Sequence, residues 1–287
     1  MFQNINDLEY NTYKPVDYVV CKNCGLISQS PVPHMDLLPG FYPDEYRNYL
    51  PVNGGVFSLL KKLQFYNLAG KIIKSLNKKA KILEIGFGNG QLLLALKQKG
   101  FENLYGTDFT NKNFSSLNNL GIKLAVSNTE ENFPFGEKFD AIIMNNVIEH
   151  FTNPIKVLKN CQSNLAKNGR IALITPNSNA LEFSIFKRYW AGFHAPRHVF
   201  IFNDNNMKLL SKKLGFSSVG LEPMIDPGQW IISVQNILQS FNFTKTKLKN
   251  GMTWYCLPLS LYFTPIAALQ NLIGRSTSML CILKREE

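Results

Sequence analysis

The sequence predicts an α/β fold built on a mostly parallel sheet, and two observations carry this prediction. Short apolar runs that suit buried strands alternate, over much of the chain, with amphipathic segments of helical period. This alternation is typical of parallel sheets, because each return to the same edge of the sheet requires a crossover helix. In addition, three alternating glycines join one of the strands to the helix that follows it. We therefore expect helices on both faces of a sheet that binds a ligand at its carboxyl edge.

The individual elements follow in order along the chain. Residues 1–55 are rich in Pro, Tyr and Asn, with short apolar runs between breakers, and predict a small irregular or hairpin extension. Residues 56–287 form the expected main domain, which begins with one or two helices before Leu76 because apolar residues recur there at helical spacing. Strands are predicted at residues 81–85, 103–108, 122–126, 141–145, 170–175, 217–221 and 277–283, and helices at residues 91–99, 111–120, 154–166 and 204–214.

An apolar insertion at residues 228–274 interrupts this pattern before the last strand. It contains two long apolar stretches separated by three lysines, and residues 250–274 carry no charge. Prolines within the run argue against a membrane-spanning helix, so a helical insertion that lies against a membrane surface is the expectation. A lid over the active site and an interface between two copies of the chain are the alternatives.

Composition limits the class of protein. With 287 residues, 45% of them hydrophobic and 18% charged, the chain is expected to fold around one substantial core. The N-terminal stretch lacks the features of a secretory signal, and five scattered cysteines do not form a disulfide framework, so we expect a cytoplasmic protein, with contact at the inner face of the membrane as the second option. The formal net charge of +11 indicates attraction to anionic surfaces without choosing among phospholipid, nucleic acid and phosphorylated substrates.

The glycine-rich turn is the strongest motif. Gly86, Gly88 and Gly90 follow a predicted strand, and glycines in such a turn let a ligand lie directly on the backbone. A dinucleotide site is less favoured, because its glycine spacing requires a glycine where the chain has Gln91. Asp108 ends the next strand, 18 residues after Gly90, where its carboxylate suits the two hydroxyls of a ribose; a turn or helix cap is the structural alternative.

Four segments together resemble the successive motifs of class I S-adenosylmethionine-dependent methyltransferases. They are ILEIGFGNG, GTD, FDAIIMNNVIEHF and GRIALITPN, and the resemblance covers about residues 76–220. It implies a Rossmann-like sheet of seven strands with an antiparallel last strand, and S-adenosylmethionine as the cofactor. It also implies the surroundings of that cofactor: Glu84, Gly86, Gly88 and Gly90 near the methionine part, Asp108 on the ribose, the loop Ser127, Asn128, Thr129 and Glu130 beside the adenine, and Asn145 and Asn146 at the methyl-donor pocket.

The acceptor side is expected in the pattern W-x-x-x-H-x-P-R-H, which resembles a bacterial branch often associated with glycan or small-molecule biosynthesis. Methyl transfer to a hydroxyl needs a base nearby, and the candidates are His150, His194 and His198. Trp190 and Arg197 are candidate acceptor contacts, since a guanidinium binds phosphate or carboxylate. The structural alternatives are backbone hydrogen bonds for the histidines and an internal ion pair for Arg197.

Cys21 and Cys24 have the spacing of a single zinc knuckle and resemble the second half of a zinc ribbon. Structural zinc needs four ligands, and no second close pair of cysteines exists in the chain. His34 is a candidate third ligand. We therefore expect no metal here, and the zinc content of the purified protein tests this expectation.

The sequence as a whole predicts a methyltransferase that acts on an oxygen of a sugar, a glycan precursor or a small biosynthetic metabolite. A lipid-linked sugar would join the basic charge and the apolar insertion in one acceptor. An RNA-directed methyltransferase or RNA-binding protein, and a non-catalytic scaffold that only binds the cofactor, are the alternatives. Since no RNA-binding module is visible, we expect no nucleic-acid partner.

Overall fold

The computed structural model of the chain describes residues 1–44, 46–49, 56–243 and 255–284. The strands are β1 Phe2–Ile5, β2 Val16–Val20, β3 Ile27–Gln29, β4 Ile82–Ile85, β5 Leu104–Asp108, β6 Lys123–Val126, β7 Phe139–Asn145, β8 Leu165–Pro176, β9 Phe200–Ile201, β10 Ser218–Met224 and β11 Ser278–Lys284. The α-helices are α1 Val56–Ile72, α2 Gln91–Gln98, α3 Phe114–Asn118, α4 Pro154–Ser163, α5 Leu181–Phe186, α6 Asp204–Lys213, α7 Pro227–Ser240 and α8 Cys256–Leu272.

A seven-stranded sheet forms the centre of the protein, in the order β10-β11-β8-β7-β4-β5-β6. The strands β4 to β8 run parallel to one another, whereas β11 is antiparallel to both of its neighbours. This confirms the predicted α/β class, the mostly parallel sheet and the antiparallel last strand. The order changes direction at β4, and the carboxyl ends of β4 and β7 lie side by side there, which is where open α/β sheets bind ligands.

The strands of the central sheet are covered on both faces, because alternate residues along each strand enter two different hydrophobic cores. In β4, Leu83 and Ile85 enter the core on one face, whereas Ile82 joins the core on the other, where Leu92 and Leu96 of α2 pack. All of these side chains are at most 2% exposed. Because successive residues of a strand point to opposite faces, the sheet is buried between two helical layers.

Several element boundaries differ from the prediction, and two of the differences have a local reason. The first helix was expected to reach Leu76 but ends at Ile72, and Ser75 has a left-handed φ of 71°. The helix expected to reach residue 166 ends at Ser163, and β8 begins five residues earlier than predicted. Asn168 turns the chain there with a φ of 60°, a conformation that asparagine tolerates better than most residues.

The N-terminal residues contribute to a second, four-stranded antiparallel sheet in the order β1-β2-β3-β9. Its last pairing joins Ile27 of β3 to Ile201 of β9, which lies far away in the sequence. The Tyr18 hydroxyl adds a 2.8 Å hydrogen bond to the carbonyl of His198. The predicted N-terminal hairpin segment therefore belongs to a sheet whose fourth strand is β9, which follows His194 and His198 in the sequence.

Within the insertion, α7 and α8 pack against each other and against this second sheet. Trp230 and Phe263 stack with ring centroids 5.2 Å apart, and both lie in a core cluster with Trp190. The outer face of α8 is exposed, as at Leu261 and Leu272. Lys245, Lys247 and Lys249, the three lysines that separate the two apolar stretches, lie outside the described residues. Among the described residues, no helix has the length and apolar character needed to cross a membrane.

Candidate functional site

The glycine turn between β4 and α2 leaves no room for side chains. Gly86 and Gly88 have φ values of 70° and 54°, in the left-handed region that favours glycine. A Cβ atom on Gly86 would lie 2.5 Å from the side chain of Val147, and one on Gly88 would lie 2.9 Å from the backbone oxygen of Asn48. Gly90 begins α2, also with a left-handed φ. A ligand at this turn would therefore contact the backbone itself.

Asp108 lies beside this turn at the carboxyl end of β5. Its Oδ2 accepts a hydrogen bond from the Gly88 amide at 3.0 Å, whereas its Oδ1 is buried without a partner among the described residues. Burial raises the pKa of this carboxyl to about 6, against hydrogen bonds from the backbone of Gly88, Thr110 and Phe109 that lower it. An unpaired buried oxygen at a ligand site is the feature expected of a residue that receives hydroxyl groups.

Glu84 is the second buried carboxyl at the turn. It is 2% exposed and its Oε2 lacks a partner within the described residues. Burial first, and then the nearby charge of Asp108, raise the pKa of Glu84 well above its usual range. The turn thus has two buried carboxyls, each with one oxygen that has no partner among the described residues, and a ligand that donates hydrogen bonds would satisfy them.

The remaining predicted cofactor residues lie at neighbouring strand ends. Asn128 and Thr129 follow β6, where Thr129 is 2% exposed and its carbonyl accepts a hydrogen bond from the Asn160 side chain at 3.1 Å. Asn145 ends β7, and Asn146 follows it exposed and with a left-handed φ of 53°. These four residues are at the expected edge of the sheet, and their contacts with the cofactor stay predictions.

The N-terminal segment covers the turn, which sequence reasoning missed. Tyr42, Tyr46 and Tyr49 pack against one another, with ring centroids 5.0 and 5.3 Å apart along the series. The Asn113 side chain donates hydrogen bonds both to the Gly88 carbonyl, at 3.0 Å, and to the Tyr49 carbonyl, at 3.3 Å. The sequence feature that could have indicated this contact is the presence of three tyrosines within residues 42–49, since a solvent-exposed extension does not require so many aromatic side chains.

The three predicted histidines do come together. The ring centroids of His150 and His198 are 4.7 Å apart, and those of His194 and His198 are 5.0 Å apart. Burial lowers the pKa of His150 to about 3, with a further contribution from the charge of His194. Burial likewise holds the pKa of His198 well below its usual range, with contributions from His150 and His194. Both rings are therefore neutral at physiological pH.

The bonding of His194 differs from that of the other two histidines. Its Nδ1 lies 2.6 Å from the Glu9 carboxylate, and its Nε2 accepts a hydrogen bond from Arg197 Nε at 3.0 Å. Since both ring nitrogens are engaged by buried partners, His194 fastens the N-terminal segment to the chain before β9. His150 is also engaged, because its Nδ1 lies 2.9 Å from the Tyr42 hydroxyl and 3.0 Å from the Arg197 carbonyl, and the Asn146 carbonyl contacts its ring.

Arg197 forms the internal ion pair that was the structural alternative. The residue is fully buried, and its guanidinium contacts both oxygens of Asp7, at 2.6 and 3.2 Å, as well as the Phe41 carbonyl at 2.8 Å. Trp190 is 1% exposed and packs against Phe183 with ring centroids 4.8 Å apart. Neither residue offers an exposed group to an acceptor in this arrangement.

Glu149 is a further residue that the sequence analysis did not single out. It precedes His150 in a short 3₁₀ helix, Ile148–His150, and is fully buried. Neither carboxyl oxygen has a well-formed hydrogen bond among the described residues. Burial raises the pKa of Glu149 to about 8, against the Thr175 hydroxyl and the Glu149 backbone, which lower it. The signal that could have identified it is a carboxyl directly beside a candidate histidine at the end of β7.

The cysteine pair lies apart from this site. Cys21 is exposed and Cys24 is partly buried, and both are free thiols. His34, the candidate third ligand, is exposed and pairs with Asp36 at 3.0 Å. Within the described ranges, neither cysteine belongs to a group of three metal-ligating side chains.

The fold and the turn together define the class of protein. A seven-stranded sheet with an antiparallel last strand, a glycine turn after its first parallel strand and an unsatisfied carboxylate after the second is the arrangement of class I methyltransferases. The cofactor S-adenosylmethionine fits this site, because its ribose hydroxyls can donate to the free oxygen of Asp108 and its sulfonium suits buried carboxyls. A family profile described as "Methyltransferase domain" matches residues 59–220. The chain therefore belongs to the methyltransferase-domain family.

Curated relatives match a smaller part of the chain. A tRNA U34 carboxymethyltransferase from Campylobacter hominis is 28% identical over 146 residues, which are 49% of this chain and 46% of that protein. A tRNA U34 carboxymethyltransferase from Campylobacter jejuni is 30% identical over 116 residues, or 38% of this chain and 40% of that protein. The chain thus spans less than half the length of these relatives.

Solved structures share the fold at low identity. A methyltransferase from Archaeoglobus fulgidus has a TM-score of 0.53 at 16% identity, over 80% of this chain and 100% of that one. A possible histamine N-methyltransferase from Thermotoga maritima has a TM-score of 0.51 at 14% identity, over 79% of this chain and 92% of that one. The cyclase SpnF has a TM-score of 0.54 at 11% identity, over 83% and 85% of the two chains. The fold alone therefore does not define the reaction.

The relatives correct one expectation. The absence of a recognisable RNA-binding module led us to expect no nucleic-acid partner, and that expectation is wrong, because both curated relatives are named for a reaction on tRNA. The inference failed because recognition of RNA does not require a separate module with a sequence signature. The net charge of +11, which the sequence analysis left open, is compatible with such a partner.

Proposed function

We propose that this protein transfers the methyl group of S-adenosylmethionine to a hydroxyl oxygen of its acceptor. The oxygen attacks the methyl carbon in line with the departing sulfur, so that the C–O bond forms as the C–S bond breaks. The sulfur keeps the electron pair in S-adenosylhomocysteine, and the hydroxyl proton leaves to a nearby acceptor. The observation that carries the proposal is the cluster of buried carboxylate and imidazole groups next to the cofactor turn.

The position of this cluster supports transfer at the turn. Glu149 and His150 lie in the 3₁₀ helix that follows β7, two and three residues after Val147. Val147 itself lies where a Cβ atom on Gly86 would project. An acceptor that reaches the cluster is therefore beside the methyl donor, and holding two reactants in this way supplies about 7–11 kcal/mol of the barrier in well-oriented systems.

The chemistry of the cluster supports oxygen over nitrogen as the methylated atom. A neutral amine already carries the lone pair that attacks, whereas a hydroxyl must lose its proton during transfer. A proton acceptor is needed for the second case, and Glu149 is the better candidate, because burial makes the rings of His150 and His198 weak bases. The tyrosine rings at residues 42, 46 and 49 enclose the same region, and this enclosure limits water near the transferred methyl group.

Two kinds of acceptor molecule could carry the hydroxyl that is methylated. The sequence analysis predicted a sugar, a glycan precursor or another small metabolite, which no comparison supports specifically. The relatives named for tRNA, together with the net charge of +11, favour RNA as the second candidate. Both sources present hydroxyls on a sugar ring, so the same chemistry applies to them.

An activity assay of the full chain tests the proposal by measuring the S-adenosylhomocysteine that is formed from S-adenosylmethionine with each candidate acceptor. One arm supplies sugars and nucleotide sugars, another supplies bulk tRNA with and without ribonuclease pretreatment, and mass spectrometry locates the methyl group in the product. Methylation of oxygen is the expected result, and the arm that turns over identifies the acceptor source. A product methylated only on nitrogen or carbon contradicts the proposal, and cofactor binding without turnover in any arm favours a non-catalytic scaffold.

A further inference from the structure

Glu149, His150 and His198 place three potential metal ligands close together. One ligand atom from each side chain lies within 4.8 Å of the other two. Two separate parts of the chain contribute them, and a 2.8 Å hydrogen bond from the Val199 amide to the Glu149 carbonyl holds these parts together. The arrangement is thus fixed by the backbone as well as by side-chain packing.

Hydrogen bonds hold both imidazole rings in place. His198 Nδ1 lies 2.8 Å from the Gly192 carbonyl, which can only accept, so the neutral ring of His198 has its lone pair on Nε2. Such an outer contact is typical of histidines that bind metals through Nε2. His150 Nδ1 lies 3.0 Å from the Arg197 carbonyl and 2.9 Å from the Tyr42 hydroxyl, and the Asn146 carbonyl also accepts a hydrogen bond from this ring. An ion bound by His150 would replace one of these contacts.

The carboxyl of Glu149 has few polar contacts, although the Thr175 hydroxyl lies near enough to lower its pKa. It is fully buried, neither oxygen has a well-formed hydrogen bond among the described residues, and the nearest ion-pair partner is His198 Nε2 at 3.8 Å. Leaving such a group unsatisfied costs a folded protein about 1–3 kcal/mol or more. A cation between Glu149 and the two rings would satisfy it.

We propose that Glu149, His150 and His198 bind one divalent first-row transition-metal ion. Two imidazole nitrogens and one carboxylate oxygen suit zinc, iron(II) or manganese(II) better than magnesium or calcium. Bonds of about 2.0–2.2 Å require the three atoms to move closer together than they are without an ion. The positive charge of Arg197 is offset by its contacts of 2.6 and 3.2 Å with Asp7, so it does not exclude a cation.

The role of this ion rests on the proposed function. Three protein ligands leave coordination positions open, and a hydroxyl oxygen bound there would have a lowered pKa, as metal-bound water does. An ion held by Glu149, His150 and His198 would thus supply acidification of the acceptor hydroxyl, whose proton would leave as the oxygen attacks the methyl carbon. This role explains how two imidazoles with little affinity for protons could assist the transfer.

Metal binding to the full chain tests the site without any assay of activity. Protein stripped with a chelator is titrated with Co²⁺, a spectroscopic substitute for zinc, and bound Zn²⁺ and Mn²⁺ are counted by elemental mass spectrometry after gel filtration. Because Cys21 and Cys24 could also bind zinc, the double variant Cys21→Ser/Cys24→Ser serves as a matched protein. We expect about one ion per chain in both proteins, with a visible Co²⁺ spectrum that lacks the intense bands of thiolate ligation.

Variants then assign the ligands. Glu149→Gln and His198→Asn are each expected to weaken binding at least about tenfold, whereas His34→Gln, at an exposed histidine, should leave it unchanged. Circular dichroism and cofactor affinity confirm that each variant is folded. If either variant does not fold, the Co²⁺ spectrum of the unaltered protein still decides between nitrogen and oxygen ligands and thiolates.

Three results would overturn the site: no stoichiometric binding of any of these ions, binding that persists in both folded variants, or binding that disappears in the cysteine variant. The proposed function fails separately. An ion bound at Glu149 with no methylation of oxygen removes that function and leaves the site, whereas unchanged oxygen methylation by metal-free protein removes the catalytic role of the ion.

Discussion

Replacing Asp108 with asparagine should weaken cofactor binding and stabilise the free protein at the same time. The Gly88 amide already donates to one oxygen of Asp108, and the other oxygen is buried with no well-formed hydrogen bond among the described residues. In Asp108→Asn the single remaining carbonyl oxygen must accept from Gly88, so the amide NH₂ group faces the ribose. Because an NH₂ group cannot accept hydrogen bonds, both ribose hydroxyls lose their acceptor.

Both magnitudes follow from the structure. Each hydrogen bond to a charged group contributes about 1.5–3 kcal/mol, so the loss of two should lower affinity for S-adenosylmethionine by at least about 100-fold. In the free protein, burial raises the Asp108 pKa from 3.8 to about 6, which corresponds to about 3 kcal/mol of cost to the folded state. This cost develops as pH rises from about 4 to 6 and is fully present above that range. Removing the charge should therefore raise the free energy of unfolding at pH 8 by up to about 3 kcal/mol.

Calorimetric titration and urea unfolding measure the two effects. Asp140→Asn is the matched control, because Asp140 also lies on a sheet strand and accepts a backbone amide hydrogen bond, from Lys81 at 2.8 Å, without facing the cofactor. Equal affinity in Asp108→Asn and the unaltered protein would refute the ribose assignment. Equal loss in both variants would show that the effect is structural rather than a lost contact.

Three further predictions address charge, packing and backbone shape. Affinity for S-adenosylmethionine should fall by about tenfold per pH unit below about pH 6 in the unaltered protein, because protonated Asp108 loses an acceptor, and calorimetry should find no such slope in Asp108→Asn. Arg197→Met should lower the free energy of unfolding by about 3–5 kcal/mol by stranding the Asp7 carboxylate, and adding Asp7→Asn should recover part of it, as urea unfolding of both variants will show. Gly88→Ala should speed tryptic cleavage of the N-terminal segment and weaken cofactor binding, because a Cβ there meets the Asn48 carbonyl at 2.9 Å; unchanged cleavage would mean that the segment does not rest on the turn.

The sequence predicted the central sheet well because local pattern and long-range structure agree there. Each buried strand must be apolar on both faces, and each crossover helix must be amphipathic, so periodicity marks both. The glycine turn was predictable for a similar reason, since positive φ and close approach both select glycine. The position of Asp108 followed from the parallel arrangement, which brings consecutive strand ends to one edge of the sheet.

The second sheet was not predictable in the same way. The strands β3 and β9 contain three and two residues, too few for a periodic pattern, and their pairing joins distant parts of the sequence. The partner of Arg197 was hidden for the same reason, because Asp7 lies 190 residues away in the chain. Such pairs have no local signature, and only tertiary packing selects between an internal ion pair and a ligand contact.

The division of the site between two parts of the chain bears on how far the relatives inform its function. The glycine turn, Asp108 and Glu149 lie within residues 59–220, the range that matches the methyltransferase-domain family. The rings that enclose the turn, at Tyr42, Tyr46 and Tyr49, lie before this range. The residues predicted to contact the cofactor therefore lie in the part of the chain that is shared with the family, whereas the tyrosine rings that enclose the turn come from a part outside it.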